Sequence, residues 1–341
     1  MNKLDREARA RVLSLMCEGV SIRAITRLTG ASKNTVARLL ADVGRACAEY
    51  QDNVLRNLSC KRVQLDEIWA FVYAKNDNVR RAKSAPANAG DVWTWTAICA
   101  DTKLLINTLV GRRNTDYAMH FVSDLRQRLA NRVQLTSDGH RPYLAAVDAV
   151  FGDDVDYAQL VKIYGADPQA ERRYSPAICL GAEKHPITGN PDPKHISTSY
   201  AERQNLTMRM HMRRFTRLTN AFSKKLENHG YAVALHQMFY NFTRIHQTLR
   251  VTPAMAAGVT DKLWDMTDIV KVLEDWEADM ATAGTTYEVN PDRIGEGFHV
   301  RTLTRYGKPQ TTFGFKTIAG AQAFIEAERA KHKPGRRRKA A

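Results

Sequence analysis

The stretch from Val63 to Ala74 constrains this chain more than any other. It is a β-branched and aromatic run of strand-like composition with Asp66 and Glu67 in its middle. A core strand has no ordinary use for a carboxylate, because an unpaired buried charge costs enough that the group shifts its pKa, pairs, or holds a metal. The nearest basic residues, Lys61 and Arg62, stand at the start of the run, and the strand itself offers no ion-pair partner. Adjacent strand residues face opposite sides, so only one of the two acids is expected to point at a site, Asp66 in preference to its rival Glu67. Two later acids, Asp138 and Glu202, stand where they complete a trio with it.

Before this strand, Leu4, Ala8, Val12, Leu15 and Met16 recur at helical spacing up to a stop at Gly19. Ser21 then caps a short helix, Gly30 breaks it, and Ser32 caps another. Ile25, Leu28, Val36 and Leu39 are placed to pack these two helices across each other. Lys33, Asn34 and Arg38 are left outward, suited to phosphates and base edges. The pattern resembles the helix-turn-helix of resolvases and insertion-sequence transposases, with Thr26 where a small residue is usual. A DNA-binding domain over 1–45 and a mixed linker over 46–62 follow from this reading.

After the strand, Val92 to Ala100 and Leu104 to Val110 read as two more strands joined by a short turn. An amphipathic helix over about 114–129 follows, then a short strand from Val133 that ends on Asp138. Three strands in a meander, a helix, and a strand ending in an acid give the order of a ribonuclease-H-like α/β core, here over 63–258. A helix over 140–151 and a strand over 157–164 come next. Residues 165–197 are punctuated by Pro and Gly and read as an inserted loop or hairpin. Helices are expected over 199–217 and 231–244. From 259 to 330 a small C-terminal α+β appendage is expected: a helix over 261–282, a hairpin over 298–315 turning at Gly307, and a closing helix over 319–330. A basic tail, 331–341, ends the chain. This β-β-α unit reads as a second DNA contact or as a packing appendage.

Charge narrows the partners. The chain has 51 Lys and Arg against 36 Asp and Glu, a net charge of +15, which favours nucleic acid first and an anionic membrane surface second. No apolar run is long enough to span a bilayer, and the first residues lack the apolar core of a secretory signal, so a soluble, cytoplasmic protein is expected. The five cysteines form no Cys-x-x-Cys pair and read as reduced core thiols.

The chemistry converges on Asp66, Asp138 and Glu202. If Asp66 lies mid-strand and Asp138 ends the neighbouring strand, their carboxylates meet at one sheet edge, and Glu202 on a helix packed there supplies a third donor. Hard oxygen ligands without a nearby thiolate suit Mg²⁺ or Mn²⁺, and two such ions hold the attacking and leaving oxygens of a phosphodiester displacement. Asn205 and Arg209 share a helix face with Glu202, Asn205 to orient the ligand and Arg209 to bind the backbone near the cut. Arg203, Arg213, Arg214 and Arg217 add to a stretch without acids that favours DNA. His140 is a candidate supporting group near Asp138, His246 a structural one, and Trp93, Trp95 and Phe71 candidate core aromatics.

Leu65 to Trp69, Thr136 to His140, Tyr200 to Asn205 and Tyr240 to Leu249 together resemble the motifs of acidic-triad (DDE) transposases of the IS-one type of bacterial insertion sequence, over roughly residues 1–260. The resemblance implies a ribonuclease-H-like core, divalent metal, cleavage at transposon ends and joining to target DNA by a protein at least dimeric on its double-stranded substrate. It places Asp66, Asp138 and Glu202 in the triad and Arg209 as its basic helper. Two features depart from the family: there is no N-terminal zinc-finger ligand set, and Glu202 follows Asp138 by 64 positions, which leaves Glu171 and Glu183 as rival third acids. A regulator with an inactive core and a nuclease that never joins strands are the competing expectations.

Overall fold

Three capped helices begin the described chain. Asp5 caps α1 (Arg6–Cys17), Ser21 caps α2 (Ile22–Thr29) and Ser32 caps α3 (Lys33–Val54), each side chain accepting from a backbone N–H of the first turn. Gly30 ends α2 in the left-handed region at φ 72°, which a glycine adopts without strain. Of the four residues expected between the helices, Ile25, Val36 and Leu39 are buried and Leu28 is exposed. The expected linker is largely absent. The apolar face of α3 continues through Val43, Cys47 and the buried Gln51, so the helix runs to Val54 and packs along α8 (Leu226–Met238). Gly44 makes that approach possible, because a Cβ there would stand 2.3 Å from Cβ of Tyr231.

The computed structural model describes residues 3–165, 178–216, 220–283, 285–291, 297–304 and 310–331. Its remaining elements are β1 (Arg62–Val72), α4 (Asn76–Val79), β2 (Gly90–Cys99), β3 (Leu105–Gly111), α5 (Thr115–Arg128), β4 (Gln134–Asp138), α6 (Pro142–Phe151), β5 (Asp156–Gly165), β6 (Ile178–Thr188), α7 (Ser199–His211), α8 (Leu226–Met238), α9 (Pro253–Ala256), α10 (Met266–Ala283), β7 (Thr285–Pro291), β8 (Phe298–Thr304), β9 (Gln310–Phe315) and α11 (Ile318–Lys331). The described residues fall into two compact units, one ending at Leu273 and the other beginning at Glu274.

The first unit is built on a mixed six-stranded sheet in the order β3-β2-β1-β4-β5-β6. β1 pairs parallel to β4, and β4 to β5; the β1–β2, β2–β3 and β5–β6 pairs are antiparallel. This mixed α/β arrangement is consistent with a ribonuclease-H-like core. One face packs on α5 and α6, where Trp95 meets Phe121 and Tyr143. On the other face Ile68, Ala70 and Val72 pack with Met208, Met212 and Val233 of the α7–α8 side. Each large side chain buried this way contributes roughly 1.5–3 kcal/mol. Trp95 is a core residue as expected, whereas Trp93 and Phe71 are only half-buried.

Several expected boundaries move. The Pro-rich insertion contains β6, which extends the sheet by pairing with β5. α8 begins at Leu226 and ends in a π turn over Phe239–Thr243. His246 organises the turn after it, its carbonyl accepting from the N–H groups of Leu249 and Arg250. Four cysteines are buried, but Cys179 on β6 is exposed. In the second unit β7 adds a third antiparallel strand before the expected hairpin, because Tyr287 and Val289 alternate toward the apolar cluster of Val300, Ala321 and Ile325. Gly307 and all of the basic tail beyond Lys331 lie outside the described residues. No helix among the described residues is long and apolar enough to cross a membrane.

Candidate metal centre

β1 supplies the first acid and the means of fixing the helix opposite it. The Oε1 of buried Gln64 accepts from the N–H groups of Tyr200 (2.7 Å) and Ala201 (3.2 Å), so it caps the start of α7. Two residues on, on the same face, Asp66 Oδ2 accepts from the Nδ2 of Asn205 at 2.8 Å. The sequence reading missed Gln64, whose signal was only a polar residue in an apolar run.

Asp138 ends β4, and its Oδ1 accepts from the backbone N–H of His140 at 3.0 Å. The contact expected of the His140 imidazole is thus made by its main chain. The ring packs against Trp95 and Tyr143, and burial, followed by the charge of Arg113, lowers its pKa.

Glu67 corrects the expectation that only one of two adjacent acids can serve the site. It lies on the α5–α6 face, opposite Asp66, yet single oxygens of Asp66, Glu67 and Asp138 lie within 4.8 Å of one another. The reason is that β1 outruns its neighbour: pairing with β4 covers only Arg62–Gln64, so at residues 66 and 67 that edge of β1 is open and carboxylates from both faces reach it. Arg113, just after β3, bridges the group, with Nε donating to Glu67 Oε2 at 3.0 Å and Nη2 to Asp138 Oδ2 at 3.3 Å.

Glu202, in the first turn of α7, is held differently. Lys162 of β5 pairs with its Oε2 at 2.5 Å, and the Thr198 hydroxyl donates to Oε1 at 2.5 Å. Burial is the largest single influence and opposes the charge on Lys162, but the hydrogen bond to Glu202 together with the charges of Glu202, Tyr164 and Asp66 outweighs it and raises the lysine pKa. Glu202 is near enough that its charge, after burial and the charge of Asp138, helps push Asp66 up to about 7. Burial, followed by the charge of Asp138, brings Glu67 to about 7 as well. The tertiary fold therefore gathers Asp66, Glu67 and Asp138 tightly and sets Glu202 beside them on a lysine tether. Three hard carboxylates without a thiolate suit Mg²⁺ or Mn²⁺. Of the rival third acids, Glu183 is exposed on β6 beside His185, and Glu171 lies outside the described residues.

Lys33, Asn34 and Arg38 are exposed on α3, as are Arg203 and Arg209 on α7 and Arg213 after it. Arg214 is turned inward: Nη1 donates to the Ser223 hydroxyl at 2.6 Å, and burial lowers its pKa to about 10. Arg217 lies outside the described residues.

Among solved structures, the chain is similar to a piggyBac transposase in a synaptic complex with hairpin DNA. Sequence identity is 8% and the TM-score 0.34, with 82% of this chain and 72% of that chain covered. No protein-family model matches the sequence, and no curated protein matches it.

Proposed function

We propose that the chain is a DNA transposase of the acidic-triad, bacterial insertion-sequence type, cutting at transposon ends and joining 3′-hydroxyl ends to target DNA. The observation that carries this reading is the convergence of Asp66 and Asp138, from adjacent parallel strands, at one sheet edge beside α7. One or two divalent ions held by Asp66 and Asp138, with Glu202 joining them only once DNA is bound, would activate the attacking oxygen and offset charge on the leaving one. Asn205 fixes the orientation of Asp66, and the main chain at His140 fixes that of Asp138. The exposed basic groups of α7 supply backbone contacts beside the acids. Lys33, Asn34 and Arg38 at the start of α3 supply a separate helix surface for recognising the element's terminal repeats, in keeping with the +15 charge of the chain. Two such ends must be brought together, so the protein acts at least as a dimer on DNA.

The test uses labelled DNA carrying the element's terminal repeats with Mg²⁺ or Mn²⁺. A Lewis acid supplies several kcal/mol of charge stabilisation, so Asp66→Asn and Asp138→Asn are expected to lower cutting and joining by about a thousandfold or more. Binding in a gel-shift assay is expected to persist. Wild-type protein that binds these ends and never cuts them would replace the transposase with a regulator, and cutting without joining would leave a nuclease.

A further inference from the structure

The six oxygens of Asp66, Glu67 and Asp138 are not equally provided for. Asp66 Oδ1 accepts from the N–H of Glu67 (2.8 Å) and Oδ2 from Asn205 (2.8 Å). Asp138 Oδ1 accepts from the N–H of His140 (3.0 Å) and Oδ2 from Arg113 (3.3 Å), and Glu67 Oε2 also takes Arg113 (3.0 Å). The sixth oxygen, Glu67 Oε1, is buried and has no hydrogen-bond partner, on a side chain only 2% exposed. Among the described residues, the one donor near Glu67 on this side is the buried Tyr143 hydroxyl, close enough to favour the carboxylate's charge but outside good hydrogen-bond geometry.

An acceptor left bare in the interior costs about 1–3 kcal/mol, and more when it carries charge. Five N–H donors hold five of the six oxygens, as supporting groups hold metal ligands in an orientation, while the sixth makes no hydrogen bond of good geometry. An octahedral Mg²⁺ sits 2.0–2.1 Å from its oxygens, which puts donor atoms about 3–4 Å apart. Three oxygens within 4.8 Å of one another come into that range by a small side-chain adjustment.

We propose that Glu67 is a direct ligand of the divalent ion, so that in the DNA-free protein Asp66, Glu67 and Asp138 hold the metal while Glu202, tethered to Lys162, adds little. The inference rests on the reading of this edge as a metal centre and adds to it a ligand that the acidic trio of the sequence does not contain.

The experiment titrates full-length protein with Mn²⁺ alone, without DNA, and follows free Mn²⁺ by electron paramagnetic resonance. Glu67→Gln keeps the shape of the side chain and an acceptor for Arg113. It is expected to weaken Mn²⁺ binding about tenfold or more, alongside Asp66→Asn and Asp138→Asn, because even groups supporting a metal ligand are worth 10–100-fold. Glu202→Gln and Tyr143→Phe are expected to stay within about threefold of wild type. Thermal melts of each variant show which are folded, and if Glu67→Gln does not fold, Glu67→Asp replaces it with the same expected weakening. Glu67 variants that bind Mn²⁺ like wild type, while the two aspartate variants bind it weakly, would overturn the proposal and leave the metal centre intact. So would a Glu202→Gln variant as weak as the aspartate variants. If neither aspartate variant weakens binding, the metal-centre reading itself fails.

Discussion

Two arginines of this fold each bridge two carboxylates, and they do it with opposite burial. Arg128, at the end of α5, is itself buried, its side chain 8% exposed, while its partners Asp52 and Asp124 are 54% and 35% exposed. Its remaining N–H donors go to the carbonyls of Gln51 and Leu55, so it clamps the end of α3 onto α5 with its donor capacity used. At Arg113 the arginine is 36% exposed, and the acid, Glu67, is the buried partner. A buried arginine with solvated acids is a structural joint. A buried acid with a solvated arginine, and two further carboxylates within reach, is a place with unused capacity for a cation.

The same substitution at the two arginines breaks the comparison most directly. Arg128→Met takes donors from the carbonyls of Gln51 and Leu55 and from Asp52 and Asp124 and is expected to cost roughly 3 kcal/mol of stability, seen as a lower denaturation midpoint. Mn²⁺ should not restore it. Equal midpoints for Arg128→Met and wild type would remove the distinction between joint and site.

A second, smaller effect is expected from pH. Asp66 and Glu67 are raised in the fold from ordinary values of 3.8 and 4.5 to about 7. An acid with a raised folded pKa keeps the native state bound to more protons than the unfolded chain. Stability from this source is therefore fully present below about pH 4 and is lost as pH rises to about 7. In chelator, the melting temperature of wild type relative to Asp66→Asn and Glu67→Gln is expected to fall between pH 5 and 8. A difference that stays flat across that window, or rises, would contradict the buried-acid assignment.

The smallest change is expected for Arg113→Met. Its guanidinium is partly exposed, and the buried Glu67 it leaves behind, raised to about 7, can take up a proton in place of the lost counter-charge, so the cost is expected at about 1 kcal/mol. Denaturation in chelator should show a loss of that size, and Mn²⁺ should reverse it, since the ion replaces the arginine as counter-charge. A loss as large as that of Arg128→Met, or one that Mn²⁺ leaves unchanged, would make Arg113 a joint as well.

Much of the fold was legible in the sequence because its signals are local. The caps Ser21 and Ser32, the stop at Gly30, the alternation along β2 and the strand ending at Asp138 each depend on a few neighbouring residues, and each element stands near its expected place. β6 and β7 were harder to read. β6 is exposed almost throughout its described side chains and has no apolar face to announce it, and β7 shows two inward ones among those described, Tyr287 and Val289. The extension of α3 across the expected linker was visible as continued periodicity, but its partner α8 lies nearly 200 residues further on.

Of the site, the sequence by itself determined the acid types, the strand that carries Asp66, the strand end that carries Asp138, and the helix that carries Asn205 and Glu202. The tertiary structure alone decided how these acids are shared. Strand alternation assigns Asp66 and Glu67 to opposite faces, and only the early end of the β1–β4 pairing opens the edge where both carboxylates meet. Arg113 follows β3 and Lys162 lies on β5, strands whose positions depend on the whole sheet, and so does their choice of acid. Charge type is a property of a residue, whereas burial and counter-charge are properties of the space that distant segments enclose.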